Sequence, residues 1–216
     1  MPARPDMTMM LVTHKAFRRD LSHLTDAAER LDAGDARGLE AVGVGWHTLR
    51  AMLISHHEGE DRYMWPRMRA GLHGRADDLA VLDAMEAEHE QIDPLVAAVD
   101  DALAALPGEN GGDGTRLAAA AEEFRAALDR HLEHEEADAL PLVGVAMSPR
   151  EWDRCLAEMR GGGLAALRSA PEFFPWLIGE AAVADRTAVL RRVPPPVRLL
   201  FQKVWLPRYT RQPRWL

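Results

Sequence analysis

The feature that most restricts the possible folds is an internal repeat with a shift of 75 residues. Each half reads His, then 42 residues later His-x-x-x-Glu, then an acidic residue and a Pro. Such self-similarity indicates two copies of one supersecondary unit. It predicts a duplicated helical hairpin whose two copies pack around a pseudo-twofold axis. The matching pairs are Met10 and Met85, His14 and His89, Leu53 and Leu128, His56 and His131, Glu60 and Glu135, Asp61 and Glu136, and Pro66 and Pro141.

Apolar residues recur in steps of three and four along four long segments, the pattern of the inner face of a helical bundle. Breaker-rich stretches near residues 32–38, 71–78 and 107–115 separate the segments, and such short connections favour antiparallel neighbours. We therefore predict an all-α fold, with an up-and-down antiparallel four-helix bundle over residues 8–145 and a helical extension over 148–216. The predicted inner faces run from Met10 to Leu31, Leu39 to Tyr63, Leu82 to Leu106 and Leu117 to Leu142.

Six side chains of metal-ligand type lie on these otherwise apolar faces. A His and a Glu four residues apart sit one above the other on a helix, with Cβ atoms about 5–6 Å apart. A buried unpaired carboxylate is costly, and a second one nearby adds repulsion, which a cation between them removes. Imidazole nitrogen and carboxylate oxygen together suit iron, manganese or zinc. The six candidate metal ligands are His14, His56, Glu60, His89, His131 and Glu135.

Two other interpretations fit these residues less well. One histidine on an apolar face is usually a hydrogen-bonded core residue, but four at matching positions with two glutamates favour metal binding. A ferritin-like di-iron site needs Glu-x-x-His on two helices. Glu86 and His89 supply one such motif, but Leu53 and Leu128 occupy the positions where the other would need Glu. The His-Glu-x-x-His motif of zinc proteases does not occur.

The order of these residues resembles that of the hemerythrin-like proteins, whose HHE cation-binding domains carry His and then His-x-x-x-Glu, twice. The strings HHEGEDRYMWP and HLEHEEADALP are similar to the helix ends of that family, and the resemblance covers about residues 8–145. It implies a non-haem di-iron centre, with two iron ions joined by an oxo or hydroxo group. Glu60 and Glu135 would bridge the irons, and the four histidines would be terminal ligands.

One departure from the oxygen-carrying hemerythrins concerns a fifth histidine, which those proteins place in a His-x-x-x-His pair on the third helix. Here Met85 stands four residues before His89, and Asp93 stands four residues after it. A centre with fewer histidines would favour redox turnover or sensing over reversible oxygen binding. Tyr63 and Asp138 are expected one turn beyond the glutamates on the inner face. The candidate substitutes for the fifth histidine are His57, His134, Glu86, Tyr63 and Asp138.

The leading functional hypothesis is a di-iron protein that binds or reduces oxygen, peroxide or nitric oxide. It would be an oxidoreductase if it turns these molecules over, and otherwise a metal- and oxygen-binding protein. The alternative is a regulatory module that senses iron or oxygen and whose C-terminal extension contacts a partner. Storage of iron or another metal without redox chemistry is a weaker third hypothesis.

The extension differs chemically from the predicted bundle. Residues 186–216 carry seven Arg, one Lys and no acidic residue, so the rest of this chain of net charge −8 carries −16. We expect the extension to dock on the acidic bundle, and the alternatives are a membrane-surface contact and a protein-partner or homodimer contact. No nucleic-acid motif accompanies the basic residues, so nucleic-acid binding is not expected.

Two further features bear on location. The single cysteine, Cys155, cannot form a disulfide within the chain and favours a reducing compartment. No apolar run is long enough to span a membrane, and the first residues lack the pattern of a secretory signal. The sequence therefore predicts a cytoplasmic protein.

Overall fold

The computed structural model describes residues 4–31, 35–106 and 114–215, and these contain helices and no β-strand. Two of the predicted breaker stretches fall partly on residues 32–34 and 107–113, which lie outside the described residues. The breaker at 71–78 is confirmed, because one helix ends at Gly71 and the next begins at Ala76. The bundle elements are α1 (Thr8–Arg30), α2 (Ala36–Gly59), α3 (Trp65–Gly71), α4 (Ala76–Ala105), α5 (Gly114–His134) and α6 (Leu140–Ala146).

The predicted inner faces form the core, which confirms the all-α bundle. Helix α1 packs against α2 and α5, and α4 packs against α5 and α2. Large side chains from all four long helices are fully buried in one cluster, among them Phe17, Leu49, Val99 and Phe124. A second cluster, around Trp65, closes the end of the bundle formed by α3, α6 and the helix over Pro149–Met159. Helix α4 passes through Pro94 without ending.

Both halves contain a π-helical turn at the equivalent place, over Glu60–Met64 and Glu135–Ala139. The helical backbone continues through these turns into α3 and α6, while α2 and α5 themselves end within the two family-like strings. A π turn holds one more residue than an α turn, which shifts the buried face by one position. Met64 and Ala139 are therefore buried, whereas Tyr63 is only half-buried and Asp138 is exposed, contrary to the expectation for the inner face.

The C-terminal extension packs against the bundle. Its elements are α7 (Pro149–Met159), α8 (Gly163–Ile178), α9 (Val183–Arg191), α10 (Pro195–Leu200), a π-helical turn (Phe201–Trp205) and α11 (Leu206–Tyr209). Ser148 and Glu151 form a capping box at the start of α7, as their spacing indicates. Trp176 of α8 is buried on α1, where its Nε1 donates a hydrogen bond to Asp20 Oδ2 at 2.9 Å.

The contact between extension and bundle is mainly apolar. Trp176, Ile178, Val189 and Phe201 belong to the same buried cluster as the bundle core. Several arginines of the extension instead donate to backbone carbonyls of the extension, as Arg186 does to Ile178 O at 2.9 Å. The extension thus docks on the bundle as expected, but through apolar burial more than through its positive charge. None of the helices within the described ranges is long and apolar enough to cross a membrane.

Candidate metal centre

The bundle fold brings the six predicted site residues to one region of its core. His14 lies on α1, His56 near the end of α2, His89 on α4 and His131 on α5, while the two glutamates open the two π turns. All six are buried, and His14, Glu60 and Glu135 have no exposed surface. A π turn directly at each glutamate is consistent with a functional site, where such turns are frequent.

Four of these residues form a mixed His–Glu group. One potential ligand atom from each of His14, His56, Glu60 and Glu135 lies within 4.8 Å of the others. His14 Nε2 is 3.1 Å from Glu135 Oε2, and His56 Nε2 is 3.2 Å from Glu60 Oε1. Two imidazoles and two carboxylates converging at this distance can hold a metal ion.

The other group consists of His57, His89 and His131, whose ligand atoms also lie within 4.8 Å of one another. The rings of His57 and His89 are stacked, with centroids 3.9 Å apart, and His89 Nε2 is 3.2 Å from His131 Nε2. Glu60 connects the two groups, since its Oε2 is 3.6 Å from His89 Nε2. The arrangement can hold two metal ions on either side of the glutamates.

The donor atoms lack the partners that buried polar atoms normally have. Both carboxylate oxygens of Glu60 and of Glu135, and Nε2 of His14, His56 and His57, make no well-aligned hydrogen bond among the described residues, although His14 and His56 each lie close to a glutamate. Unsatisfied buried donors and acceptors cost roughly 1–3 kcal/mol each, and more when charged. A bound cation would satisfy all of them at once, so the residues fit a metal site.

The carboxylates are electrostatically strained without a cation. Burial and the neighbouring charge of Glu135 raise the pKa of Glu60 well above its usual value of 4.5. Burial would also raise the pKa of Glu135, but His14, His56 and His131 lower it to about 2. The pair therefore holds one firmly ionised carboxylate and one that resists ionisation, and a divalent or trivalent ion would stabilise both as anions.

The pKa values of the buried histidines are also shifted in opposite directions. Burial would lower the pKa of His14, but Glu135 and Glu136 raise it to about 9. Burial and neighbouring imidazoles lower the pKa of His56 and His57 well below 6.5. The latter two are therefore neutral near pH 7, which is the form that binds metal.

Three of the histidines have a carboxylate beside the ring nitrogen that faces away from the centre. Nδ1 of His14 is 2.9 Å from Glu136 Oε1, and Nδ1 of His89 is 2.8 Å from Asp61 Oδ1. Nδ1 of His131 is 2.8 Å from Glu88 Oε2. Such a carboxylate accepts the Nδ1 hydrogen and leaves Nε2 free for a metal, an arrangement common around metal-bound histidines.

Among the five candidates for the fifth histidine, only His57 contributes to a group of ligand atoms. His134 Nδ1 is 2.7 Å from Glu88, and its ring is one-third exposed. Glu86 accepts a hydrogen bond from Arg69, and Asp138 lies 3.5 Å from His134. Both are separate from the two groups, as is half-buried Tyr63.

Two cavities reach the edge of the centre. The larger has a volume of about 970 Å³, lies between the bundle and the extension, and is lined by His56. The smaller has a volume of about 530 Å³ and is lined by His131, His134 and Glu88. Each group of ligand residues therefore has one histidine at a cavity wall.

The comparison with known families agrees with this geometry. Residues 7–143 match the family model described as hemerythrin HHE cation binding domain. The chain belongs to this family. The match covers more than half of the chain and includes every residue of both ligand groups. Neither the curated proteins nor the solved structures yielded a match.

The residue of this hemerythrin domain that takes the place of the fifth histidine could not be assigned from the sequence alone, although the internal repeat indicates it. The equivalent of His57 in the second half is Leu132, which is fully buried. An apolar residue at that position indicates that it faces the core in both halves. The duplication, applied to the residue beside His56 as well as to His56 itself, therefore points to His57.

Proposed function

We propose that this hemerythrin domain holds a non-haem di-iron centre that binds or reduces oxygen, peroxide or nitric oxide. His14 and His56 would serve one iron, and His57, His89 and His131 the other. Glu60 and Glu135 would bridge the two, together with an oxo or hydroxo group. When bound, such a pair of irons supplies redox chemistry and an open coordination position for a small molecule.

The observation that carries the proposal is the set of seven buried donor atoms without a well-aligned hydrogen bond among the described residues, four from carboxylates and three from imidazoles. One ion cannot readily satisfy ligand residues that form two separate groups, whereas two ions can. Nitrogen and oxygen donors without a thiolate suit iron, and the family resemblance favours iron over manganese or zinc.

The two sides of the proposed centre are unequal. Because His57 joins His89 and His131, one ion would have three imidazoles and the other two. The two-imidazole side includes His56, which lines the larger cavity. We therefore place the open position, and the entry of the small molecule, on the side of His14 and His56.

The position of His57 also bears on whether the centre favours redox turnover or reversible oxygen binding. The preference for redox turnover over reversible binding depended on the lack of a fifth histidine. With His57 beside His89, five histidines surround the two glutamates. Reversible oxygen binding and turnover are then both compatible with the donor set, and activity measurements must separate them.

The first experiment is the metal content of the purified chain, together with its visible absorption before and after adding azide or peroxide. We expect about two irons per chain and near-ultraviolet bands from the bridging group that azide shifts. Steady consumption of peroxide would identify an oxidoreductase, and a stable oxygen adduct would identify a binding protein. Glu135→Ala should lose the iron and the bands, whereas Glu133→Ala, an exposed neighbour, should retain both. A preparation with no metal, or one tightly bound zinc, would contradict the di-iron centre.

One contact favours the regulatory alternative. The ring of Phe17 lies 5.1 Å from that of His56 and 5.2 Å from that of Trp176 of the extension. A movement of His56 on iron binding would therefore be transmitted through Phe17 to Trp176 of the extension. Iron-dependent proteolysis within residues 160–163 of the full chain, without peroxide turnover, would support sensing. We expect either function to operate in the cytoplasm, where buried Cys155 would stay reduced.

A further inference from the structure

The cavity between the bundle and the extension is too large for the small molecules considered so far. Its volume of about 970 Å³ is at the upper end of the range of sites for organic ligands, roughly 300–1,000 Å³. Dioxygen, peroxide or nitric oxide would need only a narrow passage to His56. The size therefore indicates a second kind of ligand, whose chemistry depends on the residues that line the cavity.

The floor of the cavity is apolar in practice, although it includes polar side chains. Met10, Thr13, His56, Trp176 and Val193 line it and are buried. Thr13 Oγ1 donates to Met9 O at 2.9 Å, and the indole nitrogen of Trp176 donates to Asp20. Thr13 and Trp176 therefore have no free hydrogen for a ligand, and His56 is the one of these five residues with an unpartnered polar atom. The floor suits a hydrocarbon chain that ends near His56.

The rim carries more positively charged than negatively charged side chains. The exposed charged residues that line the cavity are Arg4, Arg160 and Arg192 against Asp6 and Asp153. Arg192 pairs with Asp6. Among the described residues, no carboxylate lies within 4 Å of the guanidinium groups of Arg4 and Arg160, and the negative charge of Asp153 acts on Arg160 only from a greater distance. An anionic group at the rim would supply a closer partner for these cations.

We propose that this cavity binds an aliphatic carboxylic acid, with its carboxylate at Arg160 and its chain directed along the apolar floor towards His56. Both the buried apolar floor and the cationic rim are needed for this ligand. A sugar or nucleotide would require many polar partners, which the floor lacks. The proposal goes beyond the di-iron function and does not depend on it, because His56 is the only proposed metal ligand among the residues that line the cavity.

Calorimetric titration of the full chain with octanoate and decanoate, below their micellar concentrations, tests the proposal. Burial of each methylene predicts roughly fourfold tighter binding per added carbon. Decyltrimethylammonium, with the same chain and the opposite charge, should bind at least tenfold more weakly than decanoate. Equal affinity for the anion and the cation, or an affinity that does not depend on chain length, would overturn the proposal.

Two variants locate the ligand. Arg160→Ala should weaken decanoate binding roughly 10- to 100-fold, the usual effect of losing one charge-assisted hydrogen bond. Its matched control is Arg168→Ala, since Arg168 is exposed on α8 and does not line the cavity. Ala166→Phe, which fills the cavity from half-buried lining, should weaken binding more than tenfold with an unchanged circular dichroism spectrum.

The outcomes are distinguishable from those of the di-iron proposal. Iron content is measured on the same preparation, and decanoate binding is detected by heat. A preparation without iron that binds decanoate supports this cavity and contradicts only the di-iron centre. Full iron content with no decanoate binding overturns only this proposal. Binding to phosphatidylglycerol vesicles without binding of free decanoate would assign the rim to a membrane surface and also overturn it.

Discussion

Asp61 Oδ1 lies 2.8 Å from Nδ1 of His89, so the residue that follows one predicted bridging glutamate supports a histidine from the other half of the chain. The duplication repeats this contact, because Glu136 Oε1 lies 2.9 Å from Nδ1 of His14. Each half therefore supplies the carboxylate that orients a histidine of the other half. These two contacts explain why the repeat contains an acidic residue directly after each glutamate.

If His89 is a metal ligand as proposed, Asp61→Ala should lower the affinity for metal by about 10- to 100-fold, because the carboxylate fixes the His89 tautomer that leaves Nε2 free. Thermal stability of the metal-free protein should change little, since the Asp61 side chain is 44% exposed. Competition with a chelator measures the affinity. Asp93→Ala, an exposed change on α4, is the matched control. Unchanged affinity in Asp61→Ala would show that the contact is incidental.

His57→Leu tests the unequal donor set. The equivalent buried position of the second half holds Leu132, so the substitution copies a side chain that the fold already accepts. We expect a folded protein that is at least as stable without metal, because an unpartnered buried imidazole is removed. With metal, the absorption spectrum should change and one of the two ions should bind more weakly.

The control for His57→Leu is His134→Leu, since His134 is partly exposed and paired with Glu88 outside both groups. It should keep both ions and the parent spectrum. Iron content and the spectrum are compared for the two variants after gel filtration. If His57→Leu retained the parent spectrum and affinity, His57 would be a core residue and the fifth ligand would lie elsewhere.

The bundle and the placement of the six residues could be predicted because both follow from local periodicity and from the repeat. Steps of three and four assign His14 and His89 to inner faces, and the shift of 75 residues places their helices symmetrically. The structure brings the six together as expected. Their role as metal ligands stays a prediction.

The π turns could not be predicted, because α and π segments share the same residue preferences and differ only in one residue per turn. That one residue moves the buried face from Tyr63 to Met64, so every inner position after Glu60 is displaced. The individual contacts between the extension and the bundle could not be predicted from the sequence either. The contact between Asp20 and Trp176 joins residues 156 positions apart, and no periodic pattern connects them.

Asp20 gives the contact between extension and bundle a predictable pH dependence. Burial raises the pKa of Asp20 above its usual 3.8, although Arg19 and the hydrogen bond from Trp176 oppose this. The folded chain therefore holds a proton at pH values where the unfolded chain has released it. The stability from Asp20 is complete below pH 3.8 and is lost as the pH rises through the folded-state pKa.

Asp20→Asn removes this dependence while keeping an acceptor for the indole of Trp176. The free energy of unfolding of the variant, relative to the parent, should rise from pH 4 to pH 7. The rise is about 1.4 kcal/mol for each unit by which the folded pKa exceeds that of the unfolded chain. Urea unfolding at several pH values measures it, and the ion pair with Arg19, which strengthens as Asp20 ionises, acts in the opposite direction. A relative stability that falls with pH would mean that the ion pair with Arg19 outweighs burial.

A substitution of Gly71, at the end of α3, tests how closely α3 and α6 approach each other beyond the candidate centre. A Cβ there would overlap the backbone carbonyl of Ala146, the last residue of α6, so Gly71→Ala must push α3 and α6 apart. We expect a loss of about 1–3 kcal/mol in the free energy of unfolding. Gly43→Ala, inside α2, where an added Cβ would meet no other atom within 4 Å, should instead stabilise by roughly 0.5–1 kcal/mol through helix propensity. Opposite signs in parallel urea unfolding curves would establish the close contact, and equal stabilisation by both would show that the helices have room to separate.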